Sequence, residues 1–256
     1  MIKTSIAAFL CLATPAMSFD IPDELARADF MPGWRDGGTH VAGLSIYLAP
    51  GWKTYWRSPG DSGIPPRFNW SGSSNISDVE VRFPVPQIYD QYGMRSIGYE
   101  NYVTFPLLIT ARDSALPISL EGEVNIGVCE EVCVPVTLNV STTLPAVGSY
   151  DRSLATILDD KPEAGGHLTC EISPIADGLR MTAVASFPRL KGEEVTIIET
   201  GDPEVWVSPP TVERQGDKLR AEVEMVAPTA KPFALARSEV RMTVIAGGRA
   251  IEMVGC

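Results

Sequence analysis

Histidine is nearly missing from this chain: His40 and His167 are the only two in 256 residues. No Gly-x-Ser-x-Gly element occurs either. A hydrolase reading therefore has few general bases and no nucleophile elbow to stand on. Basic charge is also short, with 21 lysines and arginines against 32 aspartates and glutamates, a formal net charge of −11. Nucleic acid and anionic membrane surfaces attract the opposite balance, so neither is expected as a partner. Long apolar runs are missing too. Beyond residue 18 no stretch approaches the length of a transmembrane helix, so no direct membrane insertion is expected.

The one short apolar run, residues 5–14, follows Lys3 and precedes the small-x-small sequence Ala16-Met17-Ser18. That order reads as a secretory signal peptide over residues 1–18, cleaved near Ser18. Cys11 lies inside the run and follows Leu10, where a lipoprotein signal would carry a small residue, so no lipid anchor is read. The mature chain is expected to be soluble and exported to a bacterial periplasm, where disulfides are permitted.

What is plentiful is turn chemistry, with 22 glycines and 21 prolines. Short alternating runs recur between them, and the composition reads as all-β. The most informative stretch is Gly127-Val128-Cys129-Glu130-Glu131-Val132-Cys133-Val134-Pro135. Upstream, Ile118, Leu120, Val124, Ile126 and Val128 alternate with polar or small residues. Downstream, Val134, Val136, Leu138 and Val140 do the same. Period two on both sides predicts two half-buried strands joined at Glu130-Glu131-Val132. The register then sets Cys129 against Cys133, Val128 against Val134, Ile126 against Val136 and Val124 against Leu138. Both cysteines fall on the polar face, within disulfide reach. A bridge this short constrains little of the unfolded chain. Three readings stay open at this point: an exchangeable redox pair, a structural pin for the hairpin tip, or a metal site. Glu130 and Glu131 flank the pair and no cation adjoins it in sequence, so no self-activated thiolate is expected.

In chain order, Ala42, Leu44, Ile46 and Leu48 alternate as a strand, and Trp52-Lys53-Thr54-Tyr55-Trp56 forms an aromatic one. Residues 57–66 read as a long turn and residues 84–95 as an irregular loop carrying Tyr89, Tyr92 and Met94. Short strands are expected at 67–70 and 79–83, with extended structure returning at 96–110. Trp52, Trp56, Trp70 and Tyr99 read as packing residues. Residues 148–162 break the pattern, with Ser149 capping a short helix whose apolar face is Leu154, Ile157 and Leu158. Alternation then resumes at Leu179 to Phe187 and Leu219 to Met225, and Gly247-Gly248 turns a hairpin.

The expected fold is all-β: two immunoglobulin-like sandwiches joined by a short helical linker. The expected units are a signal peptide over residues 1–18, a first sandwich over 19–147 and a smaller one over 148–256. Cys170 and Cys256 both belong to the last. A bridge between them would close a loop of about 87 residues, worth about 4–5 kcal/mol in the chain-entropy model. The alternative is two free thiols.

Three segments taken together resemble a known family. They are Gly51-Trp52-Lys53-Thr54-Tyr55-Trp56-Arg57-Ser58-Pro59-Gly60-Asp61-Ser62-Gly63, then Gly98-Tyr99-Glu100, then the cysteine hairpin. Over about residues 30–145 they are similar to the N-terminal periplasmic domain of the DsbD/ScsB-type thiol:disulfide interchange proteins. The ScsB branch, linked to copper tolerance, looks nearest. The resemblance implies an immunoglobulin-like redox module that acts by thiol-disulfide exchange as a protein-disulfide reductase or electron carrier. It implies a membrane-embedded thiol reductant as donor and periplasmic thioredoxin-like or isomerase proteins as acceptors. It carries the mixed disulfide over to Cys133, with Cys129 resolving. It also implies a cap loop at about residues 87–95, with Tyr89 and Tyr92 as cap or docking residues and Tyr55 as the aromatic beside the pair. Neither a cofactor nor a metal is called for, although two thiolates and a methionine would suit Cu(I) in a competing reading. The family's membrane and thioredoxin-like domains have no counterpart in this sequence, so donor and acceptor are expected to be separate molecules. The spacing between the two cysteines is shorter than in the better-known DsbD members.

Overall fold

The computed structural model describes residues 24–256 apart from residues 61, 62 and 92. The signal-peptide reading, Cys11 and the Ser18 cleavage site all lie outside the described residues.

The first half of the chain contributes ten strands: β1 (Ala26–Asp36), β2 (Thr39–Leu48), β3 (Lys53–Gly60), β4 (Arg67–Asn69), β5 (Ile76–Val81), β6 (Gln87–Gln91), β7 (Met94–Glu100), β8 (Tyr102–Ala111), β9 (Ile118–Cys129) and β10 (Cys133–Leu144). After the helix α1 (Arg152–Asp159) come β11 (Glu163–Ala164), β12 (His167–Pro174), β13 (Leu179–Ser186), β14 (Val195–Glu199), β15 (Trp206–Val207), β16 (Thr211–Gln215), β17 (Lys218–Val226), β18 (Arg241–Ala246) and β19 (Arg249–Val254). Four sheets result. The first pair is β1-β2-β8-β5 facing β10-β9-β3-β7-β6, with β4 on β9. The second pair is β11-β19-β18-β14 facing β12-β13-β17-β15, with β16 on β17. This is the all-β, immunoglobulin-like architecture expected of the alternating pattern.

Alternation decides which side of each strand is dry. In β2, Ala42, Leu44 and Ile46 are buried against Phe105, Leu107 and Ile109 of β8 and Leu120, Val124, Ile126 and Val128 of β9. Trp52 and Trp56 complete this core, and both are almost fully buried. The second core is built the same way from Met181, Ala183 and Ala185 of β13, Leu219, Ala221 and Val223 of β17, and Met242 and Val244 of β18.

The two sandwiches meet through β14, β18 and β19. One face of that sheet serves the second core, through Ile198, Met242 and Val244. Its other face, Val195, Ile197, Ile245 and Ala250, joins the first core instead. At the edge of this contact Arg57 of β3 donates two hydrogen bonds to Glu199 at 3.0 Å. It also pairs with Glu252 and lies over the ring of Trp56, 4.0 Å from its centroid.

Several local readings change. The irregular loop at residues 84–95 contains a hairpin, β6–β7. Ile88 alternates into the core edge, and Gly93 supplies the positive φ, 79°, that the turn needs. The first four residues of the long turn read at 57–66 belong to β3, which continues to Gly60 past an irregularity in its pairing with β7. The short strand read at residues 79–83 runs from Ile76 to Val81. β1 has no strong alternation in sequence. Ala26, Ala28 and Phe30 nonetheless reach the core edge, and the strand bulges between Met31 and Trp34. The helix is capped by Asp151 rather than Ser149. The Asp151 carboxylate accepts from the backbone N–H groups of Ser153 and Leu154, which holds its pKa below the usual range. Leu154 is fully buried where Gly33 and Gly43 leave no side chain in its way.

Candidate functional site

The hairpin closes in the register set by its alternation, Cys129 opposite Cys133, Val128 opposite Val134, Ile126 opposite Val136 and Val124 opposite Leu138. The two cysteines are disulfide-bonded with Cα atoms 4.2 Å apart. They are not equally accessible, contrary to a simple polar-face reading. Cys133 is exposed, whereas Cys129 is only 5% exposed. The cover comes from outside the hairpin. β3 pairs with β9 at Lys53 and Cys129, and the chain after β3 folds back so that Ile64 lies over Gly127. A side chain at Gly63 or Gly127 would collide with Tyr55 or Ile64 respectively, so both small residues allow this close approach.

Tyr55 is buried beside the pair, and its hydroxyl stands 3.5 Å from Cys133 Sγ. A disulfide sulfur carries no hydrogen, so the phenol is the donor. Burial pushes the Tyr55 pKa up, which keeps that proton in place at neutral pH. Tyr89, on β6, is half-buried and donates to Gln87 at 3.0 Å. Burial, then the Glu100 carboxylate, push its pKa up to about 12. The Lys53 ammonium lies 5.1 Å from the centroid of the Tyr89 ring. Tyr92 lies outside the described residues. β3 thus brings Tyr55 against the disulfide, while Tyr89 on β6 meets the Lys53 side chain, with β3 and β7 lying between β6 and the cysteine strand β9. Met94 stands exposed at the start of β7.

Lys53 went unnoticed in the sequence, where it is 76 positions from Cys129. Neighbours along the chain gave no cation for the pair, but sheet pairing supplies one. The signal available was positional: Lys53 and Tyr55 are two apart in an extended run, so a residue placing one beside the pair places the other on the same face. At the hairpin tip Glu130, Glu131 and Val132 are exposed. Among the described residues no group of three histidine, cysteine, aspartate or glutamate side chains is placed to hold a metal ion. His40 is fully buried and its Nε2 donates to the Pro32 carbonyl, while burial lowers its pKa. His167 is exposed beside a cavity of about 550 Å³ in the second sandwich.

The second pair, Cys170 and Cys256, is also bonded, with Cα atoms 5.4 Å apart. Both residues pack against the second core. The Arg237 guanidinium donates to the Cys170 carbonyl at 2.9 Å and the Arg237 carbonyl accepts from the Cys256 N–H, so this one residue also ties the two ends together.

The hairpin-tip disulfide, with one exposed sulfur, is set in an immunoglobulin-like sandwich. Residues 22–145 match the family of the N-terminal domain of the thiol:disulfide interchange protein DsbD. Among solved structures, the crystal structure of the N-terminal periplasmic domain of ScsB from Proteus mirabilis is similar over 91% of this chain and 94% of that one. The TM-score is 0.64 and the sequence identity 23%, a likeness of fold. No curated protein matches the sequence. That family match, together with the likeness to the ScsB domain, supports a role in thiol:disulfide interchange.

Proposed function

We propose that this protein is a periplasmic carrier of reducing equivalents that cycles Cys129 and Cys133 between disulfide and dithiol. The observation that carries the reading is the unequal exposure of the two sulfurs at the hairpin tip. Exchange requires a thiolate to approach one sulfur along the S–S axis while the other leaves. Cys133 offers the open sulfur and Cys129 the sheltered one. In this reading Cys133 forms the mixed disulfide and Cys129 resolves it, and the Tyr55 hydroxyl supports the Cys133 sulfur while its bond is exchanged.

A membrane-embedded thiol reductant supplies electrons and periplasmic thioredoxin-like or isomerase proteins receive them. Tyr89 and the hairpin that carries it form part of the docking rim, together with exposed Val132, Met94 and Ile64. Export through the signal peptide at residues 1–18 brings the chain to that compartment. The Cys170–Cys256 bridge serves stability, and the division into a redox sandwich over residues 19–147 and a smaller one over 148–256 follows from the same reading.

The test is the reduction potential of Cys129–Cys133, measured by mass-resolved thiol trapping in dithiothreitol or glutathione redox buffers. A value between roughly −180 and −280 mV supports the carrier, and one below roughly −300 mV makes the pair a structural pin and overturns it.

A further inference from the structure

One row of residues crosses the sheet beneath the disulfide. Cys133 is opposite Cys129, Cys129 is opposite Lys53, and Lys53 is opposite Glu100. Directly opposed residues in antiparallel strands share a face, with Cβ atoms about 4.5–5.5 Å apart. The contact between Tyr55, two residues from Lys53, and Cys133 Sγ identifies that face as the one carrying the disulfide. The row is therefore sulfur, sulfur, ammonium, carboxylate. In the oxidised protein the disulfide is neutral and gives the ammonium nothing to pair with. Lys53 instead rests over the Tyr89 ring on the side of Glu100.

We infer that Lys53 is a charge-stabilising residue for the Cys129 thiolate, waiting on Tyr89 while the pair is oxidised and turning to Cys129 when it is cleaved. The inference rests on the carrier reading for its biological use but not for its chemistry. A thiolate of the attacking partner bonds to Cys133 Sγ, the Cys133–Cys129 bond breaks, and its electron pair leaves on Cys129 Sγ. The partner thiolate is oxidised to the mixed disulfide and Cys129 is reduced. Cys129 is sheltered from water, so a bare thiolate there is costly. The charged and titratable groups around it are Lys53 and Tyr55 from β3, Glu100 from β7, Tyr89 from β6, Cys133 from β10, and Glu130 and Glu131 at the tip. Lys53 is the cation in that set. The acids oppose the thiolate, and Glu100 lies opposite Lys53 on the strand away from Cys129. The four-carbon stem of lysine allows both stations without moving the backbone.

The experiment isolates Cys129 as a single thiol of the site in a Cys133→Ala protein and titrates it by thiolate absorbance and by the pH profile of alkylation with iodoacetamide. Adding Lys53→Met should raise the Cys129 pKa by roughly one unit or more, as loss of an adjacent opposite charge does. Lys53→Arg should restore it, and Tyr89→Leu, which removes the resting place, should lower it. In the intact pair, Lys53→Met should slow cleavage of the oxidised protein by dithiothreitol about threefold, because a leaving thiol of higher pKa departs more slowly. Lys53→Gln provides a second neutral side chain should Lys53→Met fail to fold. A Cys129 pKa unchanged by both neutral substitutions overturns the inference, whatever the reduction potential. A potential below roughly −300 mV together with a Lys53-dependent pKa sinks the carrier reading and leaves this one standing.

Discussion

The described residues carry two disulfides, built for opposite ends. Cys129–Cys133 joins residues four apart in sequence at the tip of a hairpin that is already closed by its own ladder. Cys170–Cys256 joins residues 86 apart and ties β12 to the segment after β19. Around the first are the Tyr55 hydroxyl, Lys53 opposite Cys129 in the sheet, and an exposed sulfur. Around the second are core side chains and the Arg237 guanidinium, which donates to the Cys170 carbonyl. The difference teaches that loop length and local chemistry vary together here. The bridge that constrains the unfolded chain most packs against a core, and the bridge with an openly exposed sulfur constrains the chain least.

The largest effect expected from this comparison is in reducibility. Titrated together in a dithiothreitol buffer, the hairpin pair should open while the second pair stays closed. The two potentials should be separated by at least several tens of millivolts, each 30 mV being about 1.4 kcal/mol. Mass-resolved trapping reads both in one sample. Simultaneous opening would erase the distinction.

Stability should rank them the other way. Replacing Cys170 and Cys256 by alanine should cost about 4–5 kcal/mol in urea unfolding, and replacing Cys129 and Cys133 about 2, on the chain-entropy model. Equal losses would mean that the hairpin bridge holds more of the fold than its tip.

Arg57→Met probes the joint between the two regions. Its guanidinium and its two carboxylate partners are about four-fifths shielded from water. Removing it leaves Glu199 and Glu252 side by side, and a loss of about 2–3 kcal/mol is expected, discounted from a fully buried pair. Raised salt should soften that loss. If the sandwiches unfold in two steps in the variant and one in the parent, the joint couples them.

The smallest effect is at Tyr55→Phe. Stability should change little. Cleavage of Cys129–Cys133 by dithiothreitol should slow about twofold to fivefold, the worth of one modest hydrogen bond. No change in that rate would make Tyr55 only a cover for the pair.

Much of the fold was legible because period-two patterning is a local property. Val124, Ile126 and Val128 had to face one way, and a three-residue connection fixed the register of the whole hairpin without reference to anything else. The strands at Leu179 and Leu219 were readable for the same reason. β6 was hidden because a short edge strand needs only Ile88 to face the core, too little to register as a pattern beside Tyr92, Gly93 and Pro84. Asp151 displaced Ser149 as the helix cap because both residues are good caps and only the position of Leu154 over Gly33 and Gly43 decides where the first turn begins.

The sequence by itself determined that Cys129 and Cys133 oppose each other, since backbone geometry and alternation over a dozen residues leave one register. It also determined the all-β class and, through three matching segments, the family that the first sandwich resembles. Only the tertiary structure decided which sulfur is open to a partner and which charges face the pair. Those properties come from β3, β6 and the chain at Ile64, which are far from the cysteines in sequence and reach them through the order of strands in the sheet. That order is set by how the whole core packs, and no short window of sequence contains it.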